Sequence, residues 1–180
     1  MSLLNRLRLV GALAVVAATA VLAVGGVAIA SHQPGHVTLT GGGVLETKTQ
    51  TDRLGAATTT QFFVPLSGSG VTFPVPSGTT RLFNARFTAE SLCDGAPSTW
   101  CTARVVGRNN ATGFVFELNP QSGADFKFDS VGDLWEAHAI DRSRRVLTAG
   151  SYTFFVQLST TNPLTTFAVD DWHFTVDMHS

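Results

Sequence analysis

Four side chains in the second half of the sequence have the types and spacing of a metal site. Glu136 and His138 are two residues apart, and so are Asp171 and His173. If each pair lies on a β-strand, its two side chains point to the same face of the sheet. Neighbouring strands would then bring together nitrogen and oxygen ligands that Zn²⁺ accepts, or an acid and a base for metal-dependent hydrolysis. The alternative is four solvated side chains that pair across strands of a half-exposed sheet.

A second group consists of carboxylates, the ligand type that Ca²⁺ requires. Its members are Asp125, Asp129, Asp133, Asp170 and Asp171. Their spacing does not match the EF-hand loop, and Ca²⁺ needs about six to eight oxygens. The alternative is structural, because residues 129–133 suit a turn and Asp170 suits a bulge. We therefore predict no cofactor. If a structural ion is bound, these residues fit Ca²⁺ or Zn²⁺.

No nucleophile motif points to an enzyme. Residues 67–70 read Ser-Gly-Ser-Gly but are flanked by strand-like residues, and the helix that follows a nucleophile elbow is missing. A triad of Ser143, His138 and Asp141 would be an arrangement of common residues only. The sequence favours a non-enzymatic protein.

Composition and charge exclude one class of partner. The 180 residues carry 12 basic and 13 acidic side chains, and 44% of them are hydrophobic. Removal of residues 1–30 would take away Arg6 and Arg8 and no acidic residue. Such a chain lacks the basic surface that neutralises phosphates, so nucleic acid is not an expected partner.

The first 30 residues have the pattern of a secretory signal. Arg6 and Arg8 precede an apolar stretch over residues 9–24, and residues 28–30 read Ala-Ile-Ala, a small-x-small cleavage pattern. We predict a signal peptide over 1–30, a flexible N-terminal segment over 31–43 and a β-sandwich domain over 44–180. The expected location is extracellular. The alternative is an uncleaved membrane anchor, since residues 9–30 are just long enough to span a bilayer.

The two cysteines are predicted to form a disulfide. Cys93 and Cys101 flank a loop that contains Gly95 and Pro97. An even number of cysteines in an exported chain favours a local disulfide. The alternative is a pair of metal thiolates, but zinc-like partners are missing from the neighbouring sequence.

Alternation of apolar and polar residues indicates an all-β fold. It is clearest over residues 80–90, 151–159 and 171–178, and weaker over 44–49, 59–66, 70–75, 101–106, 114–118, 125–128 and 135–140. Phe167 and Val169 are out of phase with Trp172, which a bulge at Asp170-Asp171 would reconcile. About ten such strands predict an antiparallel β-sandwich, of jelly-roll type.

Two predictions concern the strand over 135–140. Trp135 is in phase with Ala137 and Ala139, so these three residues are assigned to the core. Residues 141–145 read Asp-Arg-Ser-Arg-Arg, which is interpreted as a basic turn after the strand.

Several segments resemble secreted jelly-roll proteins. Residues 149–157 (AGSYTFFVQ) and 167–176 (FAVDDWHFTV) are similar to the last two strands of bacterial jelly-roll modules, including carbohydrate-binding domains and heads like those of tumour necrosis factor and complement C1q. Together with 87–93, Trp100-Cys101 and 135–143, they resemble small secreted actinobacterial proteins that carry no assigned function. The lack of a chemical motif, the predicted export and the all-β pattern together favour a non-enzymatic module that binds a cell-envelope or extracellular glycan, another extracellular polymer or a protein. An oligomeric structural head and a metal-binding or hydrolase domain are the alternatives.

Overall fold

The computed structural model describes residues 35–41, 43–52, 55–122 and 126–180, and side chains from residue 43 onward. Every regular element in these ranges is a β-strand. The described residues therefore contain no helix that is long and apolar enough to cross a membrane. The predicted signal peptide over 1–30 lies outside the described residues. The strands are β1 (Gly35–Gly41), β2 (Val44–Asp52), β3 (Ala56–Thr58), β4 (Val64–Pro65), β5 (Val71–Val75), β6 (Arg81–Asp94), β7 (Trp100–Asn109), β8 (Val115–Glu117), β9 (Asp129–Ser130), β10 (Glu136–Val146), β11 (Gly150–Thr160) and β12 (Thr166–His179).

These strands form two sheets. Sheet A has the order β1-β2-β12-β6-β10, with β3 paired to β12. Sheet B has the order β4-β11-β7-β8, with β5 paired to β11 and β9 paired to β7. Every strand pair is antiparallel. The predicted all-β antiparallel sandwich is confirmed, and the arrangement is consistent with a jelly-roll-like fold.

The core lies between the inner faces of the two sheets. The apolar residues that alternate with polar ones in the three clearest strands are all buried: Phe83, Ala85, Phe87 and Ala89 in β6, Tyr152, Phe154, Val156 and Leu158 in β11, and Trp172, Phe174, Val176 and Met178 in β12. Aromatic rings join the layers, because Phe83 of sheet A lies 4.4 Å from Phe154 of sheet B, centroid to centroid. Burial of these large side chains is the main stabilising term of the fold.

The predicted bulge in β12 is confirmed. The register of β12 with β6 shifts between Asp170 and His173, and Asp171 has a φ of 44°. The Asp170 carboxylate accepts a hydrogen bond of 2.9 Å from the backbone N–H of Asp171. The extra residue reverses the alternation, so both Val169 and Trp172 are buried.

The N-terminal segment differs from the prediction. Residues 31–43 were expected to have little regular structure, but β1 occupies Gly35–Gly41 and is hydrogen-bonded along most of its length to β2. The partner strand supplies the order that the glycine-rich sequence alone did not indicate. Elsewhere, the expected strand over 59–66 is reduced to the two residues of β4, and no strand covers 126–128.

Strand β10 has the opposite phase to the one predicted. Trp135, Ala137 and Ala139 are exposed, whereas Ile140 is buried opposite Phe87 of β6. The register with β6 decides the face, because directly opposed residues of an antiparallel pair share one side of the sheet. The strand also continues through residues 141–145, the predicted basic turn, because β6 is long enough to pair with all of them.

The predicted disulfide is confirmed, and it joins the two sheets. Cys93 lies at the end of β6 in sheet A, and Cys101 lies at the start of β7 in sheet B. Both residues are buried. The cross-link therefore closes the loop over residues 94–100 at one end of the sandwich.

A glycine in this loop packs directly against backbone. A Cβ atom added to Gly95 would lie 2.6 Å from Cα of Thr165 and 2.8 Å from the carbonyl oxygen of Leu164. We predict that Gly95→Ala lowers the free energy of unfolding by about 1–2 kcal/mol, because backbone must move to relieve the overlap. Urea denaturation measures the change, and Gly43→Ala is the control, since no atom lies within 4 Å of its added Cβ. Equal stability of the two variants would contradict this packing.

Candidate functional site

A groove with a volume of about 750 Å³ runs across the outer face of sheet A. Its floor consists of the outward-facing side chains of β12, β6 and β10, and its wall is formed by Asn119 and Pro120. Asn119 and Ser143 of β10 exchange two backbone hydrogen bonds of 2.8 Å. The segment that follows β8 in sheet B is thereby fixed along the edge of sheet A.

The floor of the groove is a regular array of polar side chains. Three rows cross the sheet, and each row has one residue from β12 opposite one from β6: His173 opposite Thr88, Thr175 opposite Arg86, and Asp177 opposite Asn84. Strand β10 extends the last two rows with Asp141 and Ser143. Because the spacing of strands and of alternate residues is fixed by the sheet, these donors and acceptors stand at intervals of about 5–7 Å.

An ion pair crosses the middle of the floor. Nε of Arg86 donates a hydrogen bond of 2.7 Å to Oδ1 of Asp141, and about two thirds of each side chain is exposed. The hydrogen bond and the charge of Asp141 raise the pKa of Arg86 above its ordinary value, and the charge of Asp177 adds to the effect. The lining of the groove holds two arginines, Arg86 and Arg142, and two aspartates, so it has no excess of positive charge.

Buried side chains hold the wall of the groove in place. Arg142 donates from one guanidinium nitrogen to Oγ of Ser122 at 3.0 Å and from another to the carbonyl oxygen of Asp141 at 2.9 Å. Its guanidinium also stacks on the ring of Phe126. Burial lowers the pKa of Arg142, and the charges of Glu117 and Asp141 oppose that shift. These contacts tie the segment after β8 to β10.

The structure does not bring the predicted four-residue metal set together. His138 lies opposite Ala89 and points toward the interior, whereas His173 lies opposite Thr88 on the outer face. Glu136 stays near His138, with 3.7 Å between Oε2 and Nε2, and Asp171 is exposed at the bulge. The reason is the reversed phase of β10, which places its histidine on the side opposite the histidine of β12. His173 instead lines the groove.

The other predicted sets are also distributed over the fold. Asp129 is buried, Asp133 is exposed, Asp170 shapes the bulge and Asp125 lies outside the described residues. Among the described residues, a single group of three potential metal ligands forms, and it contains Asp129, Glu136 and His138. The residues of the hypothetical serine triad are separated as well, because Ser143 and Asp141 line the outer groove and His138 faces inward.

Sequence reasoning missed the groove as a unit. The outward positions of Asn84, Arg86 and Thr88 follow from the alternation of β6. Their neighbours on β12 and β10 follow only from the order of the strands in the sheet. The alternation of apolar and polar residues within one strand does not specify that order. The wall at Asn119 has no sequence signal, because it depends on a contact between the two sheets.

Comparison with known proteins gives weak structural similarity and no sequence match. No protein-family model matches the chain. No curated protein sequence matches it either. Among solved structures, the chain is similar to the CBM22-1 xylan-binding domain of Paenibacillus barcinonensis Xyn10C, with 7% sequence identity, coverage of 82% of this chain and 81% of that chain, and a TM-score of 0.35. A similarity of this size assigns no function, which must come from the site itself.

Proposed function

We propose that this protein is a non-enzymatic extracellular binding module that holds a neutral glycan in the groove on the outer face of sheet A. The observation that supports the proposal is the array of paired donors and acceptors on the groove floor. A sugar presents hydroxyl groups that both donate and accept hydrogen bonds. The arginine, asparagine, aspartate and threonine side chains of the floor supply both functions in fixed positions.

The charge of the groove selects among extracellular polymers. Arg86 is already paired with Asp141, and Asp177 adds a second carboxylate to the same surface. An anionic cell-envelope polymer would find no excess of positive charge on this surface and would be repelled by the Asp177 carboxylate. A neutral polysaccharide meets no such repulsion.

The size and shape of the groove suit an oligosaccharide. Its volume of about 750 Å³ falls in the range typical of small-molecule sites, about 300–1,000 Å³. The wall at Asn119 and Pro120 stands on the β10 side, while the floor continues across β6 and β12. A chain of sugar units can therefore lie across the strands and extend beyond the groove on the β12 side.

Two further features support an extracellular location. The Cys93–Cys101 disulfide persists best in an oxidising compartment. The first 30 residues have the predicted pattern of a secretory signal. A glycan-binding module in that compartment would meet its ligand at the cell surface or in the surrounding medium.

The proposal predicts that Arg86→Ala weakens glycan binding at least tenfold. The change removes a donor from the centre of the floor and leaves Asp141 without its ion pair. Affinity electrophoresis through gels that contain neutral polysaccharides (xylan, β-glucan, mannan or cellulose derivatives) measures the retardation of the purified protein. Circular dichroism confirms that the variant keeps its fold, which is expected because Arg86 is exposed.

The matched control is Arg145→Ala. Arg145 is an exposed arginine on β10 that does not line the groove, so its loss should leave retardation unchanged. The absence of retardation by every neutral polysaccharide would overturn the proposal. An equal loss in both variants would show that surface charge, rather than the groove, mediates binding.

A further inference from the structure

A second cluster of polar side chains lies on the opposite side of sheet A from the groove. Asp129 lies on β9 of sheet B, while Glu136 and His138 lie on β10 of sheet A. One potential ligand atom from each of these three residues lies within 4.8 Å of the others. Ser91 of β6 contacts both Asp129 and His138. The cluster therefore connects the two sheets through side chains alone.

Hydrogen bonds within the cluster fix the tautomer of the histidine. The Ser91 hydroxyl donates to Oδ2 of Asp129 at 2.7 Å, and its oxygen lies 3.0 Å from Nδ1 of His138. A hydroxyl has one hydrogen, so Nδ1 of His138 is the donor in the second bond. The neutral imidazole then carries its free lone pair on Nε2, which is the atom that faces Glu136. This is the tautomer that a metal ligand needs, oriented by a hydrogen bond to its other nitrogen.

The charge of the cluster requires compensation. Asp129 is only 5% exposed, and a buried carboxylate is costly unless a cation lies close to it. In the described part of the chain, the contact of Glu136 with a basic group is the one to His138, at 3.7 Å, and neither Asp129 nor Glu136 forms an ion pair with lysine or arginine. The ring of His138 packs 5.4 Å from that of Phe128, which shields the inner side of the cluster from water. A divalent cation would balance the two carboxylates.

We propose that Asp129, Glu136 and His138 form a binding site for Zn²⁺. One imidazole nitrogen and two carboxylate oxygens are ligand types that Zn²⁺ accepts, and Ca²⁺ prefers more ligands and oxygen only. Ligand atoms around tetrahedral Zn²⁺ are about 3.3 Å apart, from metal–ligand distances near 2 Å. The exposed Glu136 can close the remaining gap by rotation of its side chain, and water can take the fourth position on that side.

Such a site would act as a cross-link between the sheets. The ion would connect the short strand β9, which has only two residues, to the edge strand β10. Binding to the folded state alone raises its stability in proportion to the logarithm of the ion concentration. The role is independent of the groove, because the two sites lie on opposite faces of sheet A.

Isothermal titration calorimetry with Zn²⁺ alone tests the proposal on the metal-free, full-length protein. The expected result is one Zn²⁺ per chain, a higher unfolding temperature in Zn²⁺ than in chelator, and Ca²⁺ affinity at least tenfold weaker. Glu136→Gln should weaken Zn²⁺ binding at least tenfold without loss of the fold, since this side chain is 63% exposed. His138→Gln should abolish binding, and the visible absorption of Co²⁺ bound to the wild type reports whether the site is tetrahedral.

The control variant is Glu90→Gln. Glu90 is an exposed glutamate of β6, adjacent in sequence to Ser91 but on the outer face of the sheet. Its Zn²⁺ affinity should equal that of the wild type. The proposal would be overturned if the wild type bound no stoichiometric Zn²⁺ or if the Glu136→Gln variant bound Zn²⁺ as tightly as the wild type. It would also be overturned if the Glu90→Gln variant lost as much Zn²⁺ affinity as the Glu136→Gln variant.

Discussion

Replacement of Phe174 with alanine should lower the free energy of unfolding by about 3–5 kcal/mol, the usual cost of removing a fully buried phenylalanine. Phe174 is 0% exposed and lies in β12, at the centre of sheet A between β2 and β6. It stands opposite Phe87, which is equally buried. The cavity left by the ring cannot fill easily, because strands on both sides hold the backbone in place.

Urea denaturation followed by tryptophan fluorescence measures this loss. Phe62→Ala is the matched control, because the Phe62 side chain is 82% exposed and its removal should change stability by no more than about 0.5 kcal/mol. If the two variants were equally stable, the inner face of β12 would not form the core of the sandwich.

Loss of the Cys93–Cys101 disulfide should lower the free energy of unfolding by about 2–3 kcal/mol. The cysteines are separated by eight positions, and closure of so short a loop restricts the unfolded chain by that amount in the loop-entropy model. The bond also connects the ends of β6 and β7, which lie in different sheets, so its removal weakens the contact between the layers at that end.

Two measurements distinguish the stability that the covalent bond contributes from the stability that the packing of the two cysteine side chains contributes. The first is the stability of wild-type protein with and without a reducing agent, and the second is the stability of the Cys93→Ala/Cys101→Ala variant. Reduction keeps both side chains in the core, so a difference between reduced protein and the double variant reports lost packing. No change on complete reduction would contradict a stabilising role for the bond.

The predictable parts of the fold are the strands in which the sequence itself alternates clearly between apolar and polar residues. In β6, β11 and β12 large apolar residues alternate with polar ones, and the pairing of strands agrees with that alternation. In β10 the signal was misleading. Trp135 was assigned to the core because it is in phase with Ala137 and Ala139, whereas Ile140, opposite Phe87, determines the face in the folded protein.

The candidate sites depended on information that a single strand does not contain. Spacing placed Glu136 beside His138 and Asp171 near His173, but the relative phase of β10 and β12 decides whether the two pairs share a face. Asp129 reaches His138 through Ser91, a contact between sheets that no local pattern marks. The groove likewise required the strand order β12-β6-β10.

The position of the disulfide has a consequence for resistance to proteolysis. The loop over residues 94–100 lies inside the ring that the Cys93–Cys101 bond closes. Loops at the end of a sandwich are preferred sites of proteolytic cleavage. A cut within this loop would leave the two fragments joined through sulfur, so β6 and β7 would stay attached and the cleaved protein could keep its sandwich intact.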